Sequence, residues 1–362
     1  MKGLVFTGDM RTEVREFPIP EPKADEVRIK TMASAICGSD MMFYKAPSDL
    51  LKSGAFGATG AGAAAISIGT ISGHEAAGYV DAVGAAVTNV KVGDRVTFHH
   101  HQGCGHCKHC LDGEPMLCQE RRPLGVGIHG SNAEYCVIKA ACVLPLHEQL
   151  SFATGAFLGC QAATAYSSLM KAEVSGNDLL VVYGVGALGQ QTALMAKKMG
   201  ARVVGIDISD YRLELLKEKG IIDVGINSLH EDCKAILMDL THGIGVKKGI
   251  VACGADQMRR LSADVASVKG VIVITGASEG NMDPTADASW SFDGRCVLRK
   301  ELVIRGSYVC PLGLFEDLQN FLVDMNVDLD QLVTHHYTIE QGDEAFALFA
   351  KGQTGKVVFD FE

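Results

Sequence analysis

The sequence predicts an α/β protein in which a mostly β region is followed by a doubly wound parallel sheet. In the first part of the chain, short apolar runs alternate with Pro and charged turns, as expected of short strands. These runs are Lys2 to Phe6, Val27 to Ile36, Val92 to Val96 and Glu134 to Ile138. From about residue 175 onward, apolar strands instead alternate with helical stretches, and this alternation indicates βαβ units and a parallel sheet.

The predicted elements of the second part follow one another closely. Strands are predicted at Leu179 to Tyr183, Arg202 to Ile206, Lys248 to Val251 and Val271 to Thr275. The predicted helices and the closing strand are Leu188 to Met199, Tyr211 to Lys219, Gly313 to Met325, Gly342 to Ala350 and Lys356 to Phe361. The sequence shows no internal repeat.

Length and composition restrict the class of protein. The chain has 362 residues, and single cores rarely grow beyond about 250 to 300 residues, so two domains are expected. Thirty-three Lys and Arg against 43 Asp and Glu give a net charge of −10, which disfavours nucleic acid and anionic membranes as partners. The start has no apolar signal region and no apolar run reaches a membrane span. We therefore expect a cytoplasmic enzyme that acts on a small molecule.

Four cysteines form the most informative motif. Cys104, Cys107, Cys110 and Cys118 lie in one short run, and four thiolates at such spacing can close a tetrahedral shell around Zn²⁺ without an open position. An iron–sulfur cluster is the nearest alternative, but the ferredoxin run has its last Cys three residues after the third and followed by Pro. Bystander thiols are the remaining alternative. The spacing favours a structural zinc.

The other cysteines and one odd segment have simpler explanations. Free cysteines in apolar surroundings behave as small hydrophobes, and we expect the core for Cys136, Cys142, Cys233, Cys253, Cys296 and Cys310. The segment from Lys45 to Ser72 is rich in Gly and Ala and buries little apolar area for the entropy that ordering costs. We expect a mobile surface insert, with a lid over a site as the alternative.

A glycine turn predicts a dinucleotide site. Gly184, Gly186 and Gly189 follow a predicted strand and open a helix, which lets the chain turn tightly and approach a pyrophosphate at the helix N-terminus. Asp207 ends the next strand, where a carboxylate accepts the ribose hydroxyls and repels a 2′-phosphate, so NAD is favoured over NADP. Arg212 could meet such a phosphate, or could lie on a solvated helix face. The predicted cofactor-binding residues are Gly184, Gly186, Leu188, Gly189, Asp207, Arg212 and Thr275.

A second set of candidate metal ligands is scattered. Cys-Gly-Ser-Asp ends at Asp40, Gly-His-Glu ends at Glu75, and Cys160 precedes the nucleotide-binding half. Two thiols and one imidazole with an open fourth position form one known type of catalytic zinc site. Taken singly, a lone His is usually a satisfied polar group and a lone Cys usually belongs to the core.

In their order along the chain these motifs, with Val-Gly-Asp-Arg-Val at 92–96, resemble the zinc-containing medium-chain dehydrogenase/reductase superfamily. The superfamily includes the alcohol, polyol and threonine dehydrogenases, and the resemblance runs nearly from end to end. It implies a GroES-like catalytic domain at residues 1–150, with the structural-zinc lobe at about 100–120. A Rossmann NAD-binding domain is then expected at 151–300, and residues 301–362 are expected to complete the catalytic domain.

The resemblance also implies the roles of the second metal set. Cys37, His74 and Cys160 would bind a catalytic zinc, which gives two Zn²⁺ per chain. Asp40 would orient His74, and Glu75 would lie close enough to exchange onto the metal. The zinc would act as a Lewis acid on a bound alcohol, whose hydride passes to the nicotinamide.

Further comparison with the superfamily suggests how protons and phosphate are handled. Ser39 matches the hydroxyl that passes the alcohol proton towards solvent, so Ser39, Asp40 and Glu75 are the predicted catalytic residues. Met42 stands where some relatives have a His that continues this relay. Gly38 stands where some relatives carry a pyrophosphate-binding Arg, and Lys356 is the candidate for that charge.

The substrate prediction depends on a histidine run. His100 and His101 lie in the segment that lines the substrate pocket of relatives, and threonine dehydrogenases have a His at the position of His101. Against a threonine enzyme, Cys160 stands near the point where threonine and sorbitol enzymes usually show Glu. A pocket role for His100 or His101 favours a hydroxyl-rich substrate or hydroxy acid, and a solvated histidine cluster is the alternative.

Three functions remain open at this point. A zinc- and NAD-dependent dehydrogenase of secondary alcohols, polyols or sugar-like hydroxyls, or of the corresponding carbonyls, is favoured by the joint motif set. An aldehyde dismutase or lyase with tightly held nucleotide, or an L-threonine-type 3-hydroxy acid dehydrogenase, would use the same fold. A zinc-stabilised binding protein is the third possibility. The superfamily also implies a homo-oligomer, and we expect a tetramer rather than a dimer.

Overall fold

The computed structural model describes residues 1–53, 69–276 and 292–362, and two large sheets dominate these residues. The strands are β1 Lys2–Gly8, β2 Arg11–Glu16, β3 Glu26–Ala35, β4 Ala76–Val83, β5 Arg95–Phe98, β6 His101–Gln102, β7 Arg122–Pro123, β8 Tyr135–Lys139, β9 Val143–Pro145, β10 Leu179–Tyr183, β11 Arg202–Asp207, β12 Val224–Asn227, β13 Val246–Val251, β14 Ala266–Ile274, β15 Val303–Gly306, β16 Val333–Tyr337 and β17 Lys356–Asp360.

The α-helices connect and cover these strands. They are α1 Asp40–Lys45, α2 Ser48–Lys52, α3 Lys108–Leu111, α4 Phe152–Leu158, α5 Gln161–Ala172, α6 Ala187–Lys198, α7 Asp210–Glu218, α8 Cys233–Leu240, α9 Asp256–Asp264, α10 Gly294–Lys300, α11 Phe315–Asp324 and α12 Gly342–Ala350. Within the described ranges, none of them combines the length and apolarity that crossing a bilayer requires.

The second part of the chain forms a six-stranded, all-parallel sheet. Its strands lie in the order β12, β11, β10, β13, β14 and β15. The order reverses beside β10, the strand that carries the glycine turn, and in doubly wound folds this switch point is where ligands bind. The predicted α/β fold class is confirmed.

A seven-stranded sheet contains strands from both ends of the chain. Its path is β16, β17, β3, β4, β5 and β9, and β8 also pairs with β3. Antiparallel pairing of β17 with β3 joins Val358 to Ala35. The six-stranded sheet meanwhile runs as far as Gly306, so its last strand lies beyond residue 300. The domain limits given above stay a prediction.

One apolar core continues from the seven-stranded sheet into the parallel sheet. It includes Ala77 in β4, Phe157 in α4 and Val182 in β10. Helix α4 packs on β3, β4 and β5, whereas α5 packs on β13, β14 and α6. The junction between α4 and α5 therefore lies where the two sheets meet.

Several sequence-based expectations differ from the structure. The predicted strand at 92–96 begins only at Arg95, because Gly93 adopts a φ of +92° in the preceding turn. Of the six cysteines expected in the core, Cys253 and Cys296 are only half-buried. The central residues 54–68 of the predicted Gly/Ala insert lie outside the described residues, while its beginning forms the short helix α2.

The close approach of β3 and β4 gives a test of the fold. A Cβ added at Gly78 would lie 1.9 Å from the Lys30 carbonyl oxygen, whereas one added at Gly306 would meet nothing within 4 Å. We expect Gly78→Ala to lower the free energy of unfolding by about 1–3 kcal/mol because overpacking displaces a central strand. Gly306→Ala is the matched control, and equal melting temperatures for the two variants would contradict the described pairing.

Candidate active site

Four side chains from three separate parts of the chain converge at the junction of the two sheets. One ligand atom each from Cys37, His74, Glu75 and Cys160 lies within 4.8 Å of the other three. Cys37 follows β3, His74 and Glu75 precede β4, and Cys160 lies between α4 and α5. Sequence reasoning predicted Cys37, His74 and Cys160 as ligands with Glu75 beside them, and the structure brings all four together.

Asp40 orients the cluster. Its Oδ1 lies 3.2 Å from Nδ1 of His74, and its Oδ2 accepts a hydrogen bond from the Cys37 backbone N–H at 2.9 Å. Ser39 Oγ lies 3.2 Å from Cys37 Sγ and 3.4 Å from His74 Nε2, so Nε2 faces the thiol. A carboxylate on the remote ring nitrogen is the usual arrangement at a histidine that binds a metal.

The charges of the cluster are strongly coupled. A hydrogen bond with Cys160 and the nearby His74 lower the pKa of Cys37 well below its usual value, although burial opposes this. The same thiol contact and burial raise the pKa of Cys160. Burial acts to lower the pKa of His74, but Asp40 and Cys37 raise it well above its usual value. Two cysteine sulfurs, an imidazole and a carboxylate form a donor set that suits Zn²⁺.

Glu75 is paired with a buried ammonium group. Glu75 and Lys356 are both fully buried, and Lys356 Nζ donates to Glu75 Oε2 at 2.9 Å. Lys356 Nζ also donates to the Ile36 carbonyl at 3.1 Å and to Gln161 Oε1 at 2.9 Å, above the ring of Phe157. Burial acts to raise the pKa of Glu75, whereas the positive charge of Lys356 acts to lower it.

This arrangement corrects the expectation that Lys356 meets the cofactor phosphates. All three ammonium protons of Lys356 have acceptors inside the protein, and the side chain has no exposed surface. The network continues instead from Gln161 to Gln191 of α6, whose Nε2 donates to Gln161 Oε1 at 3.1 Å. Lys356 therefore connects the thiol cluster to the helix that follows the glycine turn.

The four-cysteine lobe forms a second cluster. Ligand atoms of all four cysteines lie within 4.8 Å of one another, with Cys104 Sγ 3.9 Å from Cys110 Sγ. Backbone N–H groups of Cys104 and Cys107 donate to sulfurs, and hydrogen bonds from the backbone lower the pKa of Cys104 to about 6. Burial raises the pKa of Cys110 to about 12. The lobe can hold a closed S4 metal site, with Cys104, Cys107, Cys110 and Cys118 as the donors.

The glycine turn has the geometry that a dinucleotide needs. Gly184 has a φ of +90°, and a Cβ at Gly189 would lie 1.9 Å from the Gly184 carbonyl oxygen. At Gly186 the nearest atom to an added Cβ is 3.7 Å away, which leaves the approach to the backbone open. Helix α6 begins at Ala187 without a side-chain cap, so its first N–H groups can meet phosphate.

Asp207 lies at the end of β11, beside the glycine turn. Its carboxylate accepts backbone hydrogen bonds from Val185 at 2.8 Å, Ile208 at 2.9 Å and Ser209 at 3.0 Å. Arg212 Nη1 lies 3.8 Å from Asp207, and the Arg212 side chain is only 16% exposed. Arg212 thus turns towards the carboxylate rather than standing on a solvated helix face. Arg212 lines a cleft of about 630 Å³ together with Lys45 and Lys351.

The remaining predicted cofactor contacts lie near the same turn. Leu188 is half-buried in the first turn of α6. Thr275 follows β14, and its Oγ1 is buried without a hydrogen-bond partner among the described residues. An orphaned buried hydroxyl at the carboxyl end of a parallel sheet is available to a ligand.

The histidine run is buried beside the thiol cluster. His99 has a backbone contact at each ring nitrogen, to Cys310 at 3.1 Å and to His101. His100 Nδ1 donates to the Gly159 carbonyl at 2.8 Å, and its ring centre lies 5.0 Å from that of His74. His101 lies 4.3 Å from His100, centre to centre. Burial lowers the pKa of all three imidazoles, so the expected alternative of a solvated cluster is wrong.

Comparison with known proteins places the chain in a family. The model of the alcohol dehydrogenase GroES-like domain matches residues 23–148, and that of zinc-binding dehydrogenases matches residues 187–326. The zinc-type alcohol dehydrogenase-like protein YphC of Escherichia coli K12 is 32% identical, with 100% of this chain and 99% of the relative covered. The chain belongs to the zinc-containing medium-chain dehydrogenase/reductase superfamily. It is an enzyme, a zinc-dependent oxidoreductase.

Two further relatives of this dehydrogenase show the range of the superfamily. An L-threonine 3-dehydrogenase of Chromobacterium violaceum is 29% identical, with 96% of each chain covered. The short chain alcohol dehydrogenase rspB from Escherichia coli CFT073, solved in complex with the cofactor NADH, is 25% identical with a TM-score of 0.84. That comparison covers 100% of this chain and 99% of the solved one. The resemblance inferred from the motifs is confirmed.

Sequence reasoning missed several residues around the dehydrogenase site. Gln161 and Gln191 link the two sheets, and Tyr308 packs against His101 with ring centres 5.3 Å apart. None of them belongs to a recognisable motif. Only Lys356, which joins Gln161 to the thiol cluster, gave a signal in the sequence. A charged residue at the start of an apolar strand indicates either a ligand-binding residue or one with a buried partner of opposite charge.

The buried pair gives a prediction for this enzyme. We expect Lys356→Met to lower the free energy of unfolding by about 3–5 kcal/mol, because it leaves the Glu75 carboxylate buried and unpaired. The double variant Lys356→Met with Glu75→Gln should recover most of that loss. Denaturant unfolding of the four proteins of this cycle measures the coupling. Additive effects of the two substitutions would contradict a direct ion pair.

Proposed function

We propose that this enzyme transfers a hydride between a secondary alcohol on a polar, hydroxyl-bearing substrate and NAD. One observation carries the proposal, namely that Cys37, His74 and Cys160 converge at the junction of the two sheets. The Gln161–Gln191 hydrogen bond joins this cluster to the helix of the glycine turn. An alcohol held at the cluster and a cofactor held at the turn would thereby be bound close to each other, as hydride transfer requires.

The donor atoms support two zinc sites. Cys37, His74 and Cys160 fit an open catalytic site, and the four cysteines of the lobe fit a closed structural site. When bound at the open site, Zn²⁺ would polarise the oxygen of the substrate and favour its deprotonation. Glu75, held by Lys356, would lie beside that site as a carboxylate able to approach the metal.

The protein's own groups would position the substrate and move its proton. Asp40 fixes the ring of His74, which keeps Nε2 directed at the centre of the thiol cluster. Ser39 is exposed and its Oγ lies within 3.4 Å of both Cys37 and His74, so it would accept the proton of the alcohol. Met42 offers no group that continues such a relay. Because the Ser39 hydroxyl is exposed, it would release its own proton to water as it accepts that of the alcohol.

Asp207 and Arg212 would determine whether the enzyme prefers NAD or NADP. A carboxylate at the end of β11 binds ribose hydroxyls and repels a 2′-phosphate, which supports NAD. Arg212 is already turned towards Asp207, and this charge pairing leaves less of its positive charge for a phosphate. The proposed contacts are completed by Gly184, Gly186, Leu188, Gly189 and Thr275.

An L-threonine-type 3-hydroxy acid dehydrogenase is the second candidate. It is supported by the threonine dehydrogenases among the relatives and by His101, which lies three residues before the first lobe cysteine. Cys160 in the place of the Glu usual in those enzymes supports the broader alcohol or polyol class. A panel of polyols, hydroxy acids, L-threonine and secondary alcohols, followed by NADH absorbance, separates the two candidates.

The cellular setting belongs to the same proposal. Twelve cysteines without a disulfide suit a reducing compartment, and we propose the cytoplasm. A homotetramer is proposed from the superfamily resemblance. Sedimentation analysis of the purified enzyme would separate a tetramer from a dimer.

Metal analysis tests the two sites. We expect about two zinc ions per chain in the wild type, and about one in Cys37→Ala and in Cys104→Ser. Cys104→Ser should also lower the melting temperature, because a closed site contributes folding energy. Cys296→Ser, outside both clusters, is the control and should keep both ions. A single zinc in the wild type that survives Cys37→Ala would exclude the catalytic site.

Cofactor titration tests the role of Asp207. We expect Asp207→Gly to raise the ratio of NADP to NAD affinity roughly tenfold, which corresponds to ~1.4 kcal/mol. The dissociation constants can be measured by quenching of protein fluorescence with each cofactor. Asp210→Asn, which changes an exposed carboxylate in the cleft that Arg212 lines, is the control. Unchanged discrimination in Asp207→Gly would mean that the ribose is recognised elsewhere.

A further inference from the structure

A row of rings leads from the thiol cluster to a guanidinium group. Centre-to-centre distances are 5.0 Å from His74 to His100, 4.3 Å from His100 to His101 and 5.3 Å from His101 to Tyr308. The guanidinium carbon of Arg121 lies 6.0 Å from the centre of the Tyr308 ring. The row therefore joins the proposed reaction centre to the base of the four-cysteine lobe.

Arg121 has no anionic partner in the described part of the chain. Its Nη1 donates to the Cys118 carbonyl at 3.1 Å, its Nε is buried without a hydrogen-bond partner, and among the described residues it forms no ion pair with a carboxylate. Arg28 provides the contrast, since it contacts both Asp81 and Glu21. A half-buried guanidinium beside an active site, without a carboxylate, is suited to an anionic ligand.

His101 also has an unused hydrogen-bonding atom. The residue is 3% exposed, and its Nδ1 has no partner among the described residues. Both ring nitrogens of His99 contact backbone atoms, and His100 donates to Gly159. The first two imidazoles of the run thus have structural partners, while the third retains a buried polar atom. A buried polar atom without a partner is costly unless a ligand or water satisfies it.

We infer that Arg121, His101 and Tyr308 form a subsite that recognises an anionic group on the substrate, a carboxylate or a phosphate. The inference rests on the proposed function and narrows its substrate class to hydroxy acids or phosphorylated polyols. The planar guanidinium can donate two parallel hydrogen bonds to either group. Tyr308 is 50% exposed, so this end of the row opens to solvent and admits the charged end of a substrate.

The lobe determines where this guanidinium lies. Both the backbone N–H and the side chain of Arg121 donate to the Cys118 carbonyl, at 3.3 Å and 3.1 Å. Cys118 is one of the four cysteines that the closed metal site would hold. A cofactor phosphate would instead meet the uncapped N-terminus of α6, which leaves Arg121 available to the substrate.

Steady-state kinetics on matched substrates test the subsite. The pairs are D-sorbitol with D-sorbitol 6-phosphate, and 2-butanol with 3-hydroxybutyrate. We expect Arg121→Gln to lower kcat/KM for the preferred anionic substrate by about 10- to 100-fold, because a charge-assisted pair is lost. The neutral partner should change by less than about threefold. Arg121→Lys, which keeps the charge but not the fork, should recover part of the loss.

Arg122→Gln is the matched control, because it removes the same charge from the adjacent, exposed position. It should leave the preference for the anionic substrate unchanged. If the wild type prefers the charged substrate over the neutral one in only one of the two pairs, that pair identifies the anion that is bound, phosphate or carboxylate. Equal losses on charged and neutral substrates in Arg121→Gln, or equal effects of Arg121→Gln and Arg122→Gln, would overturn the subsite while leaving the proposed function intact.

Failure of the proposed function has a different signature. If no alcohol in the panel reduces NAD, calorimetric titration with inorganic phosphate and with 3-hydroxybutyrate tests the subsite directly. Binding of either anion that is lost in Arg121→Gln and kept in Arg122→Gln supports the subsite without any turnover. Absence of binding of both anions to the wild type overturns it. Zinc content and melting temperature of each variant show that it is folded.

Discussion

The structure depends on one buried ammonium group. Lys356 has no exposed surface, and its ammonium group donates hydrogen bonds to the Glu75 carboxylate, the Ile36 carbonyl and the Gln161 amide oxygen. Removing such a charge from water costs several kcal/mol unless every proton finds an acceptor. These acceptors come from the end of β3, the start of β4 and the start of α5. The charge therefore fixes the relative positions of the segments that carry the candidate zinc ligands.

The same group connects the two halves of the enzyme. Gln161 Oε1 accepts from Lys356 and also from Gln191 in the helix that opens at the glycine turn. Around this polar network, one apolar core runs from the seven-stranded sheet into the parallel sheet. Polar and apolar contacts together fix the position of the thiol cluster relative to the glycine turn. Hydride transfer requires such fixed positions, since the reacting groups must approach within contact distance.

Much of the fold could be predicted because its signals are local. Strand periodicity, the glycine turn and Asp207 at the end of β11 are each visible in a short window of sequence. The ligands Cys37, His74 and Cys160 could be predicted only as a set, through the order of motifs in the superfamily. The role of Asp40 could be predicted because it lies in the same Cys-Gly-Ser-Asp motif as Cys37. Prediction from a short stretch of sequence was less accurate at 92–96. The turn conformation of Gly93 places the start of the strand at Arg95 instead.

The missed features depend on contacts between distant parts of the chain. Lys356 looks like an exposed or ligand-binding charge in its own segment, and its burial is explained only by Glu75 and the other acceptors, which lie far away in the sequence. The three histidines are equivalent in sequence, yet their ring nitrogens have different surroundings, because Cys310 and Gly159 approach only two of them. Arg121 likewise could not be recognised as part of a site from its own segment, because Tyr308, whose ring it contacts, lies far along the chain.

The contact between Lys356 and Glu75 also has a consequence for the order of folding. The two residues are 281 positions apart, and the entire parallel sheet lies between them in the chain. A loop of that length closes at a greater entropic cost than neighbouring contacts, so the pair forms after the local structure around β3 and β4. Until then Glu75 is not held by its ammonium partner. Its carboxyl group therefore stays in contact with water until the last strand of the chain has paired with β3.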